Sequence, residues 1–137
     1  MTTVISSRLN ESTDSLLRFA MRADAVISGL VGIATLIFAR QVAELSGTTP
    51  AIEYTVGGFF VIFAATVLAL AARPAIRTSG LVLAIGNALF SVVTVAVVLA
   101  GVWPLTTAGV VLILGTGVYT LVMAELQYQG VRRISKR

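Results

Sequence analysis

The stretch TSGLVLAIGNALFSVVTVAVVLAGVWPLTTAGVVLILGTGVYTLVMA, from Thr78 to Ala124, contains no charged residue. One helix needs about 20 apolar residues to cross the roughly 30 Å hydrocarbon layer of a bilayer, so this run is long enough for two crossings. Its central segment Gly101–Pro104 contains both glycine and proline, which predicts a tight turn between them. The stretch therefore predicts an integral membrane protein.

The composition of the whole chain agrees with this class. The 137 residues are 57% hydrophobic and 12% charged, with a mean hydropathy of +0.96, whereas a soluble domain carries about 25% charged residues. Cysteine and histidine do not occur, which excludes disulfides, thiol chemistry and the usual zinc and haem sites. We expect no cofactor and no bound metal.

Working outward from that stretch, hydropathy and turn residues predict an all-α fold, a bundle of four transmembrane helices. The helices are predicted at about residues 14–45, 52–72, 79–102 and 105–129, within a transmembrane domain of residues 13–130. Arg73-Pro74 ends the second helix, because the residue before proline disfavours helical geometry. Residues 1–12 are predicted to be a flexible tail, and residues 131–137 a basic one.

The basic residues predict the orientation. If both termini lie in the cytoplasm, nine of the ten Lys and Arg residues are on the cytoplasmic side and only Arg40 is outside. This distribution is what the positive-inside rule requires. This distribution explains the net charge of +4 without nucleic acid as a partner. The C-terminal tail would contact anionic inner-leaflet lipids, with about 1 kcal/mol from each basic residue.

A weak internal repeat is also visible. Gly47–Pro50 and Gly101–Pro104 are both Gly-x-x-Pro turns, and the same offset aligns Gly32 with Gly86. A duplicated helical hairpin is one interpretation. Chance recurrence of glycine and proline in outer turns is the other.

Four polar residues at similar depth near the inner leaflet form the candidate site: Arg22, Asp24, Asn87 and Glu125. Polar groups inside a membrane are costly unless they pair, so we expect them to meet in the bundle interior. One interpretation is a site for an ion, a proton or a lipid headgroup. The other is an ion-paired clamp that fixes the bundle, in which Arg22 or Arg18 bridges the two carboxylates; Arg22 could also reach the headgroups alone.

Small residues predict where helices approach closely. Gly29 and Gly32 lie on one face of the first helix, and Gly57 and Gly58 are adjacent in the second. Such faces favour close helix packing in membranes, either within the chain or across a homodimer. The glycines match no phosphate-binding loop.

The chain resembles short four-span membrane proteins of actinobacteria. The similarity rests on Arg22–Ala25 followed by Gly29 and Gly32, on Arg73-Pro74, and on Asn87 early in the third span. It implies a multi-pass protein of the bacterial cytoplasmic membrane and no known activity. DoxX-like proteins have a comparable architecture. The small multidrug exporters are similar in span number but carry an acidic residue midway along the first span, where Leu30–Ile37 has none.

Three functions are compatible with the sequence. The leading hypothesis is a non-catalytic accessory or assembly component of a membrane complex, with a membrane-protein partner. The alternative is a small homo-oligomeric transporter or channel that uses Asp24, Asn87 and Glu125. An enzyme is disfavoured, and we expect none, because without His or Cys, and with Lys136 as the single lysine, most general bases and nucleophiles are missing.

Overall fold

The fold is known from a computed structural model, which describes residues 2–134 and their side chains from Asp14 onward. Its helices are α1 (Thr2–Ile37), α2 (Ala39–Ser46), α3 (Pro50–Ala71), α4 (Arg77–Ala100) and α5 (Thr107–Ile134). The segment Asp14–Ile37 of α1, together with α3, α4 and α5, gives four helices that are long and apolar enough to span a membrane. The predicted all-α, four-span architecture is confirmed.

The first predicted helix differs from the structure at both ends. Helix α1 begins at Thr2, so residues 2–12, expected as a flexible tail, are helical, and Met1 lies outside the described residues. The helix is also interrupted at Phe38, whose φ of −109° and ψ of 27° are not helical. The bend lets Ala39 and Ala43 on α2 turn inward and become buried. Residues 14–45 are therefore two helices rather than one.

The last helix is longer than predicted. Helix α5 continues to Ile134, and Val131 is buried in a core cluster with Leu17 of α1. The apolar side chains at both positions explain the extension, because they keep packing after the charged residues begin. Residues 131–134 are thus helix rather than tail, and residues 135–137 lie outside the described part of the chain.

The glycines of the two Gly-x-x-Pro turns share one backbone conformation. Gly47 and Gly101 have φ angles of +82° and +64°, and each ends a helix in the left-handed conformation that glycine adopts at low cost. After the first turn, Thr49 caps α3 by accepting a hydrogen bond from the backbone N–H of Ile52. The turns differ after the glycine, because Pro50 is the first residue of α3 whereas Pro104 lies three residues before α5 begins at Thr107. The turns of the suggested duplication therefore match only at their glycines.

The spanning helices pack in the order α3, α1, α5, α4. Helix α1 packs against α3 and α5, and α5 packs against α4, whereas α3 and α4 form no extensive contact. The main apolar core lies where all four spanning helices and the loop between α3 and α4 meet, around Leu17, Met21 and Ile76. We call this the basic end of the bundle, because Arg18, Arg73 and Arg132 also lie there.

Arg18 anchors α1 to the end of α3. Its Nη1 donates to the carbonyl oxygens of Ala71 at 2.5 Å and Arg73 at 2.8 Å, and its Nη2 donates to Asp14 at 2.9 Å. The last carbonyls of a helix have no intrahelical partners and favour a positive charge. One guanidinium therefore satisfies the C-terminus of α3 and sets the register of α1 beside it.

Candidate functional site

Asp24 is a carboxylate in the interior of the bundle. Its side chain has no accessible surface, and it lies about 9 Å along the axis of α1 from Arg18, at 1.5 Å per residue. Because Arg18 marks the end of α3, Asp24 is well inside the apolar part of the bundle. A carboxylate at this depth requires polar partners to offset the loss of its hydration.

Four uncharged side chains supply those partners. Oδ1 of Asp24 accepts hydrogen bonds from Oγ of Ser28 at 3.1 Å and from the hydroxyl of Tyr119 at 2.8 Å. Oδ2 accepts from Nδ2 of Asn87 and Nε2 of Gln127, both at 3.0 Å. Each oxygen thus receives two donors, which is the full acceptor capacity of an ionised carboxylate. We call these five residues the Asp24 cluster.

The amide partners are also tied to each other. Nδ2 of Asn87 donates a second hydrogen bond to Oε1 of Gln127 at 2.9 Å. Among the described side chains, every fully buried nitrogen or oxygen has a hydrogen-bond partner. The cluster therefore joins α1, α4 and α5 in a satisfied polar network, which the low-dielectric interior strengthens.

The prediction that Arg22 or Arg18 pairs with Asp24 is wrong. The guanidinium of Arg18 binds Asp14 and the end of α3. Arg22 is exposed and borders a shallow surface cleft with Phe19 and Arg73. Ion pairing is thus replaced by four neutral donors.

Glu125 does not belong to the site either. It is exposed, and its Oε1 accepts a hydrogen bond from Gln129 one turn along α5 at 2.8 Å. Gln127 occupies the interior position instead. Two residues along a helix correspond to about 200° of rotation, so Glu125 and Gln127 face opposite sides.

The sequence did contain a signal for the missed partners. Tyr119, Met123 and Gln127 recur every fourth residue along α5, the spacing of one helix face. Met123 and Gln127 are buried and Tyr119 is partly buried. Selecting polar residues by charge favoured Glu125, whereas selecting them by the face they share with apolar neighbours indicates Gln127.

A groove opens beside the Asp24 cluster, between α3 and α4. It is half-enclosed, its volume is about 720 Å³, and drug-sized ligands occupy pockets of about 300–1,000 Å³. Its walls are mainly apolar, with Phe59 and Phe63 on the α3 side and Val82 on the α4 side. The groove exists because α3 and α4 stand at the two ends of the packing order.

Two features define the groove further. Phe60 and Phe90 approach each other across it, with ring centroids 6.1 Å apart, so the aromatic rings join α3 and α4 where the backbones do not. Ser28, Asn87 and Tyr119 line the groove and place the polar network at its wall. Asp24 itself lies behind them, with no accessible surface.

The glycines predicted to pack have different environments. A Cβ atom on Gly32 would lie 2.8 Å from the carbonyl oxygen of Gly57, and one on Gly29 would lie 3.1 Å from Cβ of Ala64. These three glycines let α1 and α3 approach closely. Gly58 has no neighbouring atom within 4 Å of such a Cβ, so its predicted packing role is wrong within the chain.

The chemically reactive group of the arrangement is one carboxylate that is held by hydrogen bonds. Among the described residues, no group of three or more acidic side chains is placed to hold a metal ion. The carboxylate that could act as a base is screened by its own partners.

No protein-family model, no curated protein and no solved structure matches this chain.

Proposed function

We propose that this small multi-pass membrane protein is a non-catalytic accessory component that holds a lipid-soluble molecule in the groove between α3 and α4. One observation carries the proposal: an apolar groove of about 720 Å³ has a local polar surface at Ser28, Asn87 and Tyr119. Binding sites for small molecules typically combine apolar walls with a few placed polar groups. A partner membrane complex would receive or use the bound molecule.

The absence of a role in catalysis is part of the proposal. A general base must come within about 3 Å of the proton that it removes. Asp24 has no accessible surface, and Ser28, Asn87 and Tyr119 separate it from the groove. The hydroxyls of Ser28 and Tyr119 donate to that carboxylate, which orients them for holding the network rather than for attack on a substrate.

Native mass spectrometry of the protein extracted gently from its own membranes tests this proposal. Gly86 lines the groove, and a Cβ atom added there would have no other atom within 4 Å, so Gly86→Leu adds side-chain volume at the groove from an unobstructed Cβ position. Gly58→Leu is the matched control, because Gly58 is also helical and unobstructed but does not line the groove. Both changes remove a helical glycine and have a similar effect on helix propensity.

We expect a bound species of defined mass on the wild-type protein and on Gly58→Leu, and its loss from Gly86→Leu. Equal occupancy in all three proteins would contradict the proposal. Recovery of bulk phospholipids alone, in proportion to their abundance in the membrane, would contradict it as well.

The second candidate is a small homo-oligomeric transporter or channel. The observation that favours it is a buried carboxylate, Asp24, with neutral hydrogen-bond partners beside an open groove. Such intramembrane carboxylates mark substrate or proton pathways in many transporters. Flux of the bound molecule across liposomes, abolished by Gly86→Leu and retained by Gly58→Leu, would favour transport, whereas binding without flux supports the accessory function.

A further inference from the structure

The polar side chains that line the groove share one property: all of their donor hydrogens point into the protein. They are Ser28, Asn87, Thr116, Tyr119 and Thr120. Each of these side chains also carries an oxygen atom with acceptor lone pairs, because hydroxyl and amide oxygens accept hydrogen bonds. The side chains that line the groove therefore present acceptors to an occupant, whereas their donor hydrogens are already bonded within the protein.

The two threonines show this within α5. Oγ1 of Thr116 donates to the carbonyl oxygen of Leu112 at 2.8 Å, and Oγ1 of Thr120 donates to that of Gly117 at 3.0 Å. A backbone carbonyl has no hydrogen to give, so the direction of both bonds is fixed. Neither hydroxyl has a hydrogen left for a ligand.

The Asp24 cluster uses the remaining donors. Ser28 and Tyr119 donate to Oδ1 of Asp24. Both amide hydrogens of Asn87 are engaged, one by Oδ2 of Asp24 at 3.0 Å and the other by Gln127 at 2.9 Å. Because Nδ2 of Asn87 faces the carboxylate of Asp24, Oδ1 of Asn87 is the atom left for other contacts.

Oδ1 of Asn87 is an open acceptor. No hydrogen bond to this atom occurs within the part of the chain that the structure describes, whereas every fully buried side-chain oxygen there has a partner. It follows that Oδ1 is not fully buried, and Asn87 lines the groove. This oxygen is one of the acceptors on the residues that line the groove, and it is the one for which the structure shows no hydrogen-bond partner among the described residues.

The charge and the walls of the groove favour a positive occupant. Within the described residues, no lysine or arginine lines the groove, and Asp24 has four neutral partners. Four phenylalanines, Phe59, Phe60, Phe63 and Phe90, stand along the walls. Aromatic faces attract cations, more strongly when the cation is desolvated, and a buried carboxylate attracts a cation strongly in a low-dielectric interior.

We propose that the occupant is an amphiphile with an apolar body and a protonated amine, whose ammonium group donates to Oδ1 of Asn87 next to Asp24. This inference rests on the proposed binding function and specifies its ligand class. Carboxylates and phosphates are excluded by the same features, because they would face acceptors and a negative charge without a donor.

Three photoactivatable probes with one common alkyl chain test the inference. The chains carry a diazirine and end in a primary amine, a hydroxyl or a carboxylate, and they are incorporated with the protein into phosphatidylcholine vesicles. After illumination, peptide mass spectrometry measures labelling of the groove residues, and labelling of Gly86→Leu gives the background. Because a hydrogen bond to a charged group is worth more than a neutral one, we expect the amine to label the groove about tenfold more than either other probe.

The results separate the two proposals. If the hydroxyl or carboxylate probe labels the groove as strongly as the amine, and Gly86→Leu abolishes that labelling, groove binding holds and the ammonium inference is overturned. If none of the probes labels the groove above the Gly86→Leu background, the proposed binding function itself is contradicted.

The substitution Asp24→Asn provides an independent test of the inference that the carboxylate attracts the amine. It removes the charge with almost no change in size, so the ratio of amine to hydroxyl labelling should fall about tenfold if the carboxylate attracts the amine. Glu125→Gln is the control, because it removes an exposed carboxylate outside the groove and should leave the ratio unchanged. An unchanged ratio in a folded Asp24→Asn protein overturns the inference. If that variant does not fold, the three-probe comparison on the wild-type protein decides.

Discussion

Nε2 of Gln127 donates to Oδ2 of Asp24 at 3.0 Å, although 103 positions separate the two residues in the chain. Both side chains are completely buried, so this contact holds the first and last spanning helices together in the interior. It can form only after both helices are packed. The Asp24 cluster is therefore a measure of correct assembly of the bundle as well as the polar wall of the groove.

Asp24→Asn should destabilise the protein by about 2 kcal/mol, because an amide placed there loses the charge and turns a donor toward other donors. Unfolding by sodium dodecyl sulfate, followed by circular dichroism, would measure this. Glu125→Gln is the matched control, since the exposed Glu125 accepts its hydrogen bond from Gln129 on the same helix, and it should change the free energy of unfolding by less than about 0.5 kcal/mol. Equal effects of the two substitutions would show that Asp24 is not held as described.

The sequence predicted the four spans because an uncharged run of this length has few alternatives to membrane crossing. It also placed Asp24 and Asn87 in one interior cluster, since both are polar residues within apolar helices. The partners Gln127 and Tyr119 were missed because the charged Glu125 was taken as the interior polar residue of α5. Their role depends on which face of α5 meets α1, and hydropathy alone does not give that rotation.

The groove could not be predicted from the sequence for a related reason. Consecutive helices in a bundle are usually neighbours, so α3 and α4 would be expected to pack together. In the structure, α1 and α5 occupy the centre and α3 and α4 are separated. The close approach of Gly32 to Gly57 favours the packing of α1 against α3. Which helices become neighbours depends on comparing all possible helix pairs, and the sequence of each helix alone does not give that comparison.

Arg18→Lys should destabilise the protein by about 1–2 kcal/mol. A lysine ammonium cannot reproduce the fork that binds Asp14 together with the carbonyls of Ala71 and Arg73. Arg22→Lys, one turn further along α1, is the control and should have little effect because Arg22 is exposed. The same unfolding assay measures both. If Arg18→Lys were as stable as Arg22→Lys, the anchoring of α1 to the end of α3 would be disproved.

Gly32→Ala should cost about 1–3 kcal/mol, because the added methyl group would lie 2.8 Å from the carbonyl oxygen of Gly57 and 2.9 Å from Cβ of Phe60. Gly58→Ala adds the same methyl group where no atom lies within 4 Å, and it should be neutral or stabilising by up to about 1 kcal/mol through helix propensity. Thermal unfolding of the two variants in one mild detergent provides the comparison. A loss of stability in Gly58→Ala equal to that of Gly32→Ala would contradict the close packing of α1 against α3.

The most direct measurement is a crystal structure of the wild-type protein grown from a lipidic mesophase after extraction from its own membranes. We expect α3 and α4 to be separated, with elongated electron density between them and one end of that density within hydrogen-bonding distance of Oδ1 of Asn87. A structure in which α3 and α4 pack side by side with no space between them would contradict the existence of the groove and its proposed role in binding.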